Sequence, residues 1–344
     1  MLATRLRHQR LVGNPCRRPE DVVAWLGAVQ SQDYAGAAWA IALRAPTATA
    51  AAIDRAFDAG RILRTHLLRP TWHFVAPADL RWMLALTGPR VKARLAPYDR
   101  HLEIDGRLLA RARRVVEGAL AGGRHLTRDE LAEQLRRRGR IDVRGQRLAH
   151  VVMHLEQDAV VCSGPRRGRQ FTYALLEERV PRAPTFTRAG ALAELARRYF
   201  RSHGPATVHD FAWWSGLAMA DARRGAATVD TALVLATPPS PERVAGAHFL
   251  LPNYDEYLIA YRHRDAVIDP DRARNFGIFT TTEFPHQVVL GGRVAGSWRR
   301  TIGPRDASLA VTFYRPPTTR ERAALARQAA QYARVLGLPC TLEA

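Results

Sequence analysis

The sequence predicts an α+β protein, mainly α, built as three tandem helix-turn-helix modules of the winged-helix kind and a barrel-like, β-rich C-terminal region. Three observations lead there. A central stretch reads as three amphipathic helices followed by a basic hairpin. A similar order of helices recurs on either side of it. The last third changes from helical spacing to paired β-rich runs. The predicted units are 1–100, 101–182, 183–245 and 246–344, a reasonable division for 344 residues.

In the first unit, "PEDVVAWLGAVQSQ" is one helix, with "QSQD" as a polar interruption near its end, and "TATAAAIDRAFDAG" is another. "ILRTHLLRPTWHFVAP" then gives a strand pair. The central unit starts with the helix "RLLARARRVVEGALA". "LTRDELAEQLRRRG" follows, and its Thr127 and Glu130 have the T-x-x-E spacing of a capping box. "RGQRLAHVVMHLEQDA" places Leu148, Val151, Val152 and Leu155 on one helical face. "VVCSGPRRGRQFTYALL" is a hairpin with a basic tip, in the place where a wing contacts phosphate. The third unit repeats helix, turn at "HGPA", helix, turn and helix, and "GPATVHDFAWWSGL" occupies the place of "RHLTRDELAEQL". In the last unit, "QVVLGGRVAGSWRRT" is a hairpin turning at Gly-Gly, "SLAVTFYRP" is a strand, and "TTRERAALARQAAQYARVLG" is a helix stopped by Gly337.

Composition narrows the function. Hydrophobic residues at 47% and charged residues at 24% describe a globular chain. No apolar run reaches about 18 residues, so no membrane span is predicted. The N-terminus lacks the apolar core of a secretory signal, and the three cysteines are far apart, which suggests neither disulfides nor zinc. The expectation is a cytoplasmic, nucleoid-associated protein with no metal and no cofactor. Lys and Arg total 52 against 32 acids, a net charge of +20, and Lys92 is the single lysine. The preference for Arg over Lys fits a GC-rich genome. The uncompensated charge itself points to a polyanion, above all nucleic acid.

"AVQSQ", "LRTHLLRPTWHFV", the central helices with their hairpin, and "LLPNYDEYLIAYRHR" followed by "GGRVAGSWRR" together resemble the winged-helix DNA glycosylases related to AlkZ and YcaQ. The resemblance spans nearly the whole chain. It implies three winged-helix modules forming a concave DNA-binding face and a C-terminal β-barrel. It also implies excision of bulky or crosslinking alkylated bases, in general repair or in protecting a producer from its own DNA-alkylating product. The family's catalytic motif is Gln, any residue, then Gln or Asp. Gln30 and Gln32 match the Gln-x-Gln form of the AlkZ branch.

The chemistry suits amides. Glycosidic cleavage passes through an oxocarbenium-like sugar. A purine alkylated at N7 or N3 carries a positive charge and leaves neutral, so little help from a general acid is required. An amide carbonyl can hold a water and turn its negative dipole end to the sugar, but it is not a strong base. On a helix, residues i and i+2 do not share a face, so the two glutamines converge only near a helix end, and Gly36 is compatible with such an ending. Asp33 is a third candidate, bringing a carboxylate. Strand cleavage would require an amine to form a Schiff base, and besides the N-terminus only Lys92 could supply it. A monofunctional enzyme is therefore expected, acting as a monomer on double-stranded DNA that contains alkylated bases, with no protein partner.

Further candidates surround this motif. His66, Trp72 and His73 would line the pocket and Arg69 would hold phosphate, although each taken alone reads more readily as structural, with Trp72 in the core and His66 a satisfied buried imidazole. Trp39 is a stacking candidate or core, and Trp213 and Trp214 read as core of the third module. The cluster Tyr254, Asp255 and Glu256 with Arg262, His263 and Arg264 is placed by the resemblance near DNA; a salt-bridged turn is the alternative. Arg166, Arg167 and Arg169 on the wing and Arg299 and Arg300 on the late hairpin are the remaining phosphate candidates. The competing function is a non-enzymatic winged-helix transcriptional regulator. A regulator gives no reason to place two glutamines in a pocket, and no long heptad helix is visible for dimerisation.

Overall fold

A computed structural model describes residues 1–182, 185–237, 243–268 and 284–343; the predicted boundary at residue 183 and the last residue lie outside them. The chain is mixed α and β. The first unit runs α1 (Leu2–His8), α2 (Pro19–Leu26), β1 (Val29–Gln30), α3 (Tyr34–Arg44), α4 (Ala50–Asp58), β2 (Leu63–His66) and β3 (Trp72–Val75). The expected strand pair is there, extended by β1 into an antiparallel sheet of order β1-β3-β2. A helix of 25 residues, α5 (Pro77–His101), follows, opened by a proline in its first turn and carrying Pro89 and Pro97 inside.

The central unit contains α6 (Gly106–Leu120), β4 (Leu126–Thr127), α7 (Arg128–Gly139), α8 (Gly145–Gln157), β5 (Val161–Ser163) and β6 (Thr172–Leu175). Thr127 and Glu130 close the capping box reciprocally, at 3.3 and 2.8 Å. Leu148, Val151, Val152 and Leu155 are buried together. The short α9 (Leu176–Arg179) leads on. The third unit has α10 (Arg188–His203), β7 (Ala206–Thr207), α11 (Val208–Ser215), α12 (Met219–Ala226) and β8 (Val234–Leu235). A second reciprocal box, Thr207 with Asp210, opens α11 where Thr127 and Glu130 open α7. The two units therefore share a helix-start device, although β8 pairs parallel with β7 and makes no hairpin.

The last unit contains β9 (His248–Leu251), α13 (Glu256–Ile259), β10 (His286–Leu290), β11 (Arg293–Ile302), β12 (Ala307–Phe313), α14 (Thr319–Leu336) and β13 (Cys340–Glu343). Its sheet, β13-β12-β11-β10-β9, curls into a half-barrel, which is the form the expected barrel-like region takes. Gly291 and Gly292, at φ 62° and 78°, supply the paired positive φ that the β10–β11 turn demands. Gly337, at φ 70°, ends α14 as expected.

The cores cross the linear order. Trp39 and Phe57 of the first unit share a core with Leu250, Val288, Trp298 and Tyr332 of the last. Trp39 donates to the Leu250 carbonyl at 2.6 Å and meets Tyr332 edge-on at 4.9 Å. At 1% exposure it is a structural residue, not a stacking platform. A second core joins Leu80 and Trp82 of α5 to Tyr199, Phe211 and Trp214 of the third unit. The chain's two ends are thus packed around the segment that carries Gln30 and Gln32.

Candidate active site

The segment 27–33 is not a helix end. Gly27, at φ 83°, stops α2, β1 pairs Gln30 with His73, and Asp33 caps α3 by accepting from Gly36 N at 3.0 Å. Gly36 lies in the first turn of α3 and ends nothing. A Cβ there would sit 2.6 Å from Asp33 Oδ2 and 2.8 Å from Asn253 Oδ1, so glycine is required for close approach. β1 ends at Gln30, and Gln32 lies just past it in the bend before α3, so the helical restriction on i, i+2 residues does not apply.

Both motif amides are tied to one stretch of chain. Gln30 Oε1 accepts from Arg69 Nη2 at 3.1 Å, and Gln32 Oε1 accepts from Trp72 N at 3.3 Å. Gln30 is buried and Gln32 exposed. Neither donor has acceptor character, so each carbonyl oxygen faces its donor and keeps a second lone pair. The stretch is a tight loop with Leu68 at φ 62° and with Thr71 N donating to Arg69 O at 2.7 Å. Gly216 of the third unit abuts it, where a Cβ would lie 2.2 Å from Leu68 O. Beneath the motif, Gln30 N donates to Glu256 Oε1 at 3.0 Å, and Trp214 Nε1 donates to Glu256 Oε2 at 3.0 Å. One buried carboxylate therefore joins three units at β1. Asp33 bonds Arg300 of β11 at 2.6 Å, which brings the late hairpin to the motif.

The other candidates divide. Register places His73 and Thr65 on the face of Gln30, and His66 and Trp72 on the opposite face. His66 and His73 therefore do not line one pocket. His66 Nδ1 meets the buried Glu156 Oε2 at 2.5 Å, with its ring 3.9 Å from Trp72. Asp255 is fully buried in an ion pair with Arg44 at 2.8 Å, and Glu256 is 1% exposed, so neither faces DNA. Tyr254 is half-buried, at φ 59° and 6.4 Å from Phe284. Arg262 and Arg299 are exposed. On the β5–β6 hairpin, read from sequence as a wing, Arg166 is drawn inward to Asp54 at 3.0 Å, Arg167 pairs with Glu130 at 2.6 Å, and Arg169 is exposed with no ion pair among the described residues. Trp213, expected in the core, is 43% exposed, and Arg69 and Arg264 lie 5.9 and 5.5 Å from its ring. Adjacent helical residues point about 100° apart, and in α11 Trp214 turns into the core while Trp213 turns toward solvent. The roles of Glu256 and Arg64 carry no local sequence signal.

Burial lowers the Arg69 pKa, and its Nε is buried without a partner. Burial first, and the Arg69 charge second, push His73 down to about 3, so it stays neutral near pH 7. An unfolded chain takes this proton below about pH 6.5 while the folded one refuses it. Stability is therefore complete above that value and is lost as pH falls toward 3, at up to about 1.4 kcal/mol per pH unit for this group. Urea unfolding of the wild type and His73→Asn between about pH 6.5 and 4 checks this. Equal slopes in the two proteins would contradict it.

The profile of the family described as DNA glycosylase AlkZ-like matches residues 23–335. The chain belongs to the AlkZ-like DNA glycosylases. This glycosylase is 28% identical over 371 aligned positions to a Streptomyces sahachiroi protein named interstrand DNA cross-link repair glycosylase, covering 96% of this chain and 95% of that one. Its fold is similar to that of the S. sahachiroi DNA glycosylase AlkZ, with a TM-score of 0.78 at 23% identity over 99% of this chain and 98% of that one.

Proposed function

We propose that this glycosylase hydrolyses the N-glycosidic bond of cationic alkylated purines such as N7-alkylguanine, including bulky and interstrand-crosslink adducts, and leaves an abasic site. The observation that carries this reading is the pair of glutamine carbonyls tethered to one loop, each with an acceptor site left for water. A water held there forms a bond to the anomeric carbon as the glycosidic electron pair leaves with the base, which departs neutral, and the water's surplus proton passes to bulk solvent. The carbonyl dipoles favour the positive charge growing on the sugar. The base reaches the site by leaving the stack, which is easiest for a damaged one. Trp213, half-exposed beside Arg69, offers the extruded base a ring to stack on. Arg69, Arg264, Arg169, Arg262 and Arg299 are read as the phosphate contacts, and the three helical units as winged-helix modules facing DNA. The crosslink substrate rests on the relative's name.

Lys92 lies on α5 paired with Asp158, which supports a monofunctional enzyme. The test is incubation of the purified chain with duplex DNA carrying N7-alkylguanine or a crosslink, followed by alkali and heat. Abasic sites are expected above a heat-only control, with no strand breaks before alkali. Their absence across several cationic adducts would sink the reading.

A further inference from the structure

A pocket of about 450 Å³ opens on the face of the first sheet opposite Gln30. That volume lies within the range of small-molecule sites. Its walls are Trp72 and Arg64 of the sheet and Phe171, Thr172 and Tyr173 of the central unit's hairpin segment. The Arg64 guanidinium carbon lies 4.3 Å from the centroid of the Trp72 ring and 4.6 Å from that of Phe171, so the cation contacts two ring faces. Arg64 is 8% exposed, and its Nε and Nη2 both donate to the Ser31 carbonyl, at 3.2 and 3.0 Å. It forms no ion pair with a carboxylate among the described residues. Burial lowers its pKa only to about 10, so it stays charged near pH 7. A buried charge without a counter-ion is costly, and an anion entering the pocket would supply the missing one. Arg169 and Arg128 add positive charge at the lining, and α7 points its N-terminus there, against a single lining acid, Asp129.

Aromatic side chains beside a guanidinium favour a base, and the surplus positive charge favours a phosphate. We propose that this pocket binds a second nucleotide, drawn out of the duplex apart from the damaged one, with its phosphate on Arg64 and Arg169 and its base against the aromatic wall. The pocket also touches the motif. Arg64 is anchored on Ser31, between the two glutamines, and Trp72 N holds Gln32. Filling it braces β1 from behind. The inference requires DNA as the substrate but not the roles given to Gln30 and Gln32.

Binding is read without catalysis. The full chain is titrated with 2-aminopurine deoxyriboside 5′-monophosphate and with its nucleoside, following fluorescence. The monophosphate is expected to bind at least about tenfold more tightly, a preference lost in Arg169→Glu, while Phe171→Ala weakens both ligands by about fivefold or more. Equal binding of the two ligands, or binding unchanged in Arg169→Glu, overturns the proposal. Arg169 is exposed, so its replacement leaves folding intact. A duplex with a tetrahydrofuran abasic analogue then carries 2-aminopurine either opposite it or beside it. The arm whose fluorescence changes in wild type and not in Phe171→Ala, at DNA concentrations that saturate both proteins, identifies the strand that supplies the nucleotide. A change in neither arm overturns the proposal for DNA. Excision of alkylated purines with neither arm responding would leave the glycosylase reading standing and remove this one.

Discussion

Gln30→Ala is expected to lower the rate of base excision by about a hundred- to a thousandfold while changing DNA affinity by no more than about threefold. In the proposed reading its carbonyl is one of two oxygens that hold the attacking water, and as a buried amide it makes no contact with the phosphate backbone. Truncation also leaves the Arg69 guanidinium without its only hydrogen-bond acceptor among the described residues. Two comparators separate chemistry from binding. Arg69→Met removes the tether but keeps Gln30, so about tenfold of rate should be lost through misplacement. If Arg69 also touches a phosphate, the salt dependence of binding should become shallower by about one charge. Gln32→Asp should stay within about tenfold of wild type, because a carboxylate still accepts from Trp72 N. Single-turnover excision with binding measured in parallel checks all three. Wild-type rates in both Gln30→Ala and Gln32→Ala would mean that the water is held elsewhere.

Breaking the Arg44–Asp255 pair is expected to cost about 3–5 kcal/mol of stability. Both side chains are fully buried, and two hydrogen bonds of 2.8 Å join them. Arg44→Met strands a buried carboxylate, and Asp255→Asn strands a buried guanidinium. The pair also has secondary duties. Arg44 donates to Gln9 O at 2.9 Å, and Asp255 accepts from Tyr257 N at 2.9 Å to start α13. A double replacement by apolar residues should therefore recover only part of the loss, although such swaps are often neutral elsewhere. Urea denaturation followed by circular dichroism measures each variant. A loss below about 1 kcal/mol in both single variants would show that the pair is dispensable.

What was legible in the sequence was local. The capping box at Thr127, the helical face of Leu148 to Leu155, the Gly291–Gly292 turn and the Gly337 stop all depend on neighbours within a few residues. The motif glutamines were found by resemblance, but their setting was misjudged. "AVQSQD" is apolar enough to continue α2, and only pairing with β3, more than 40 positions on, makes it extended. The same distance hid the partners of Asp255 and Arg166. Arg44 lies 211 positions from Asp255, and Asp54 lies on a different unit from the wing. A basic residue on a predicted wing reads as a DNA contact until its acid partner is known. Arg64 had no signal at all, since an arginine in a strand is ordinarily assigned to the surface.

The motif strand rests on Glu256, and its following residues are latched by Arg300 of β11. The ribosome makes residues 29–33 early, and it makes their supports more than two hundred positions later. A nascent chain that has folded its first unit still lacks the carboxylate under Gln30 and the guanidinium on Asp33. Base excision should therefore switch on only after the late hairpin has left the ribosome. Prematurely terminated products could cling to DNA through their arginines without cutting a single glycosidic bond.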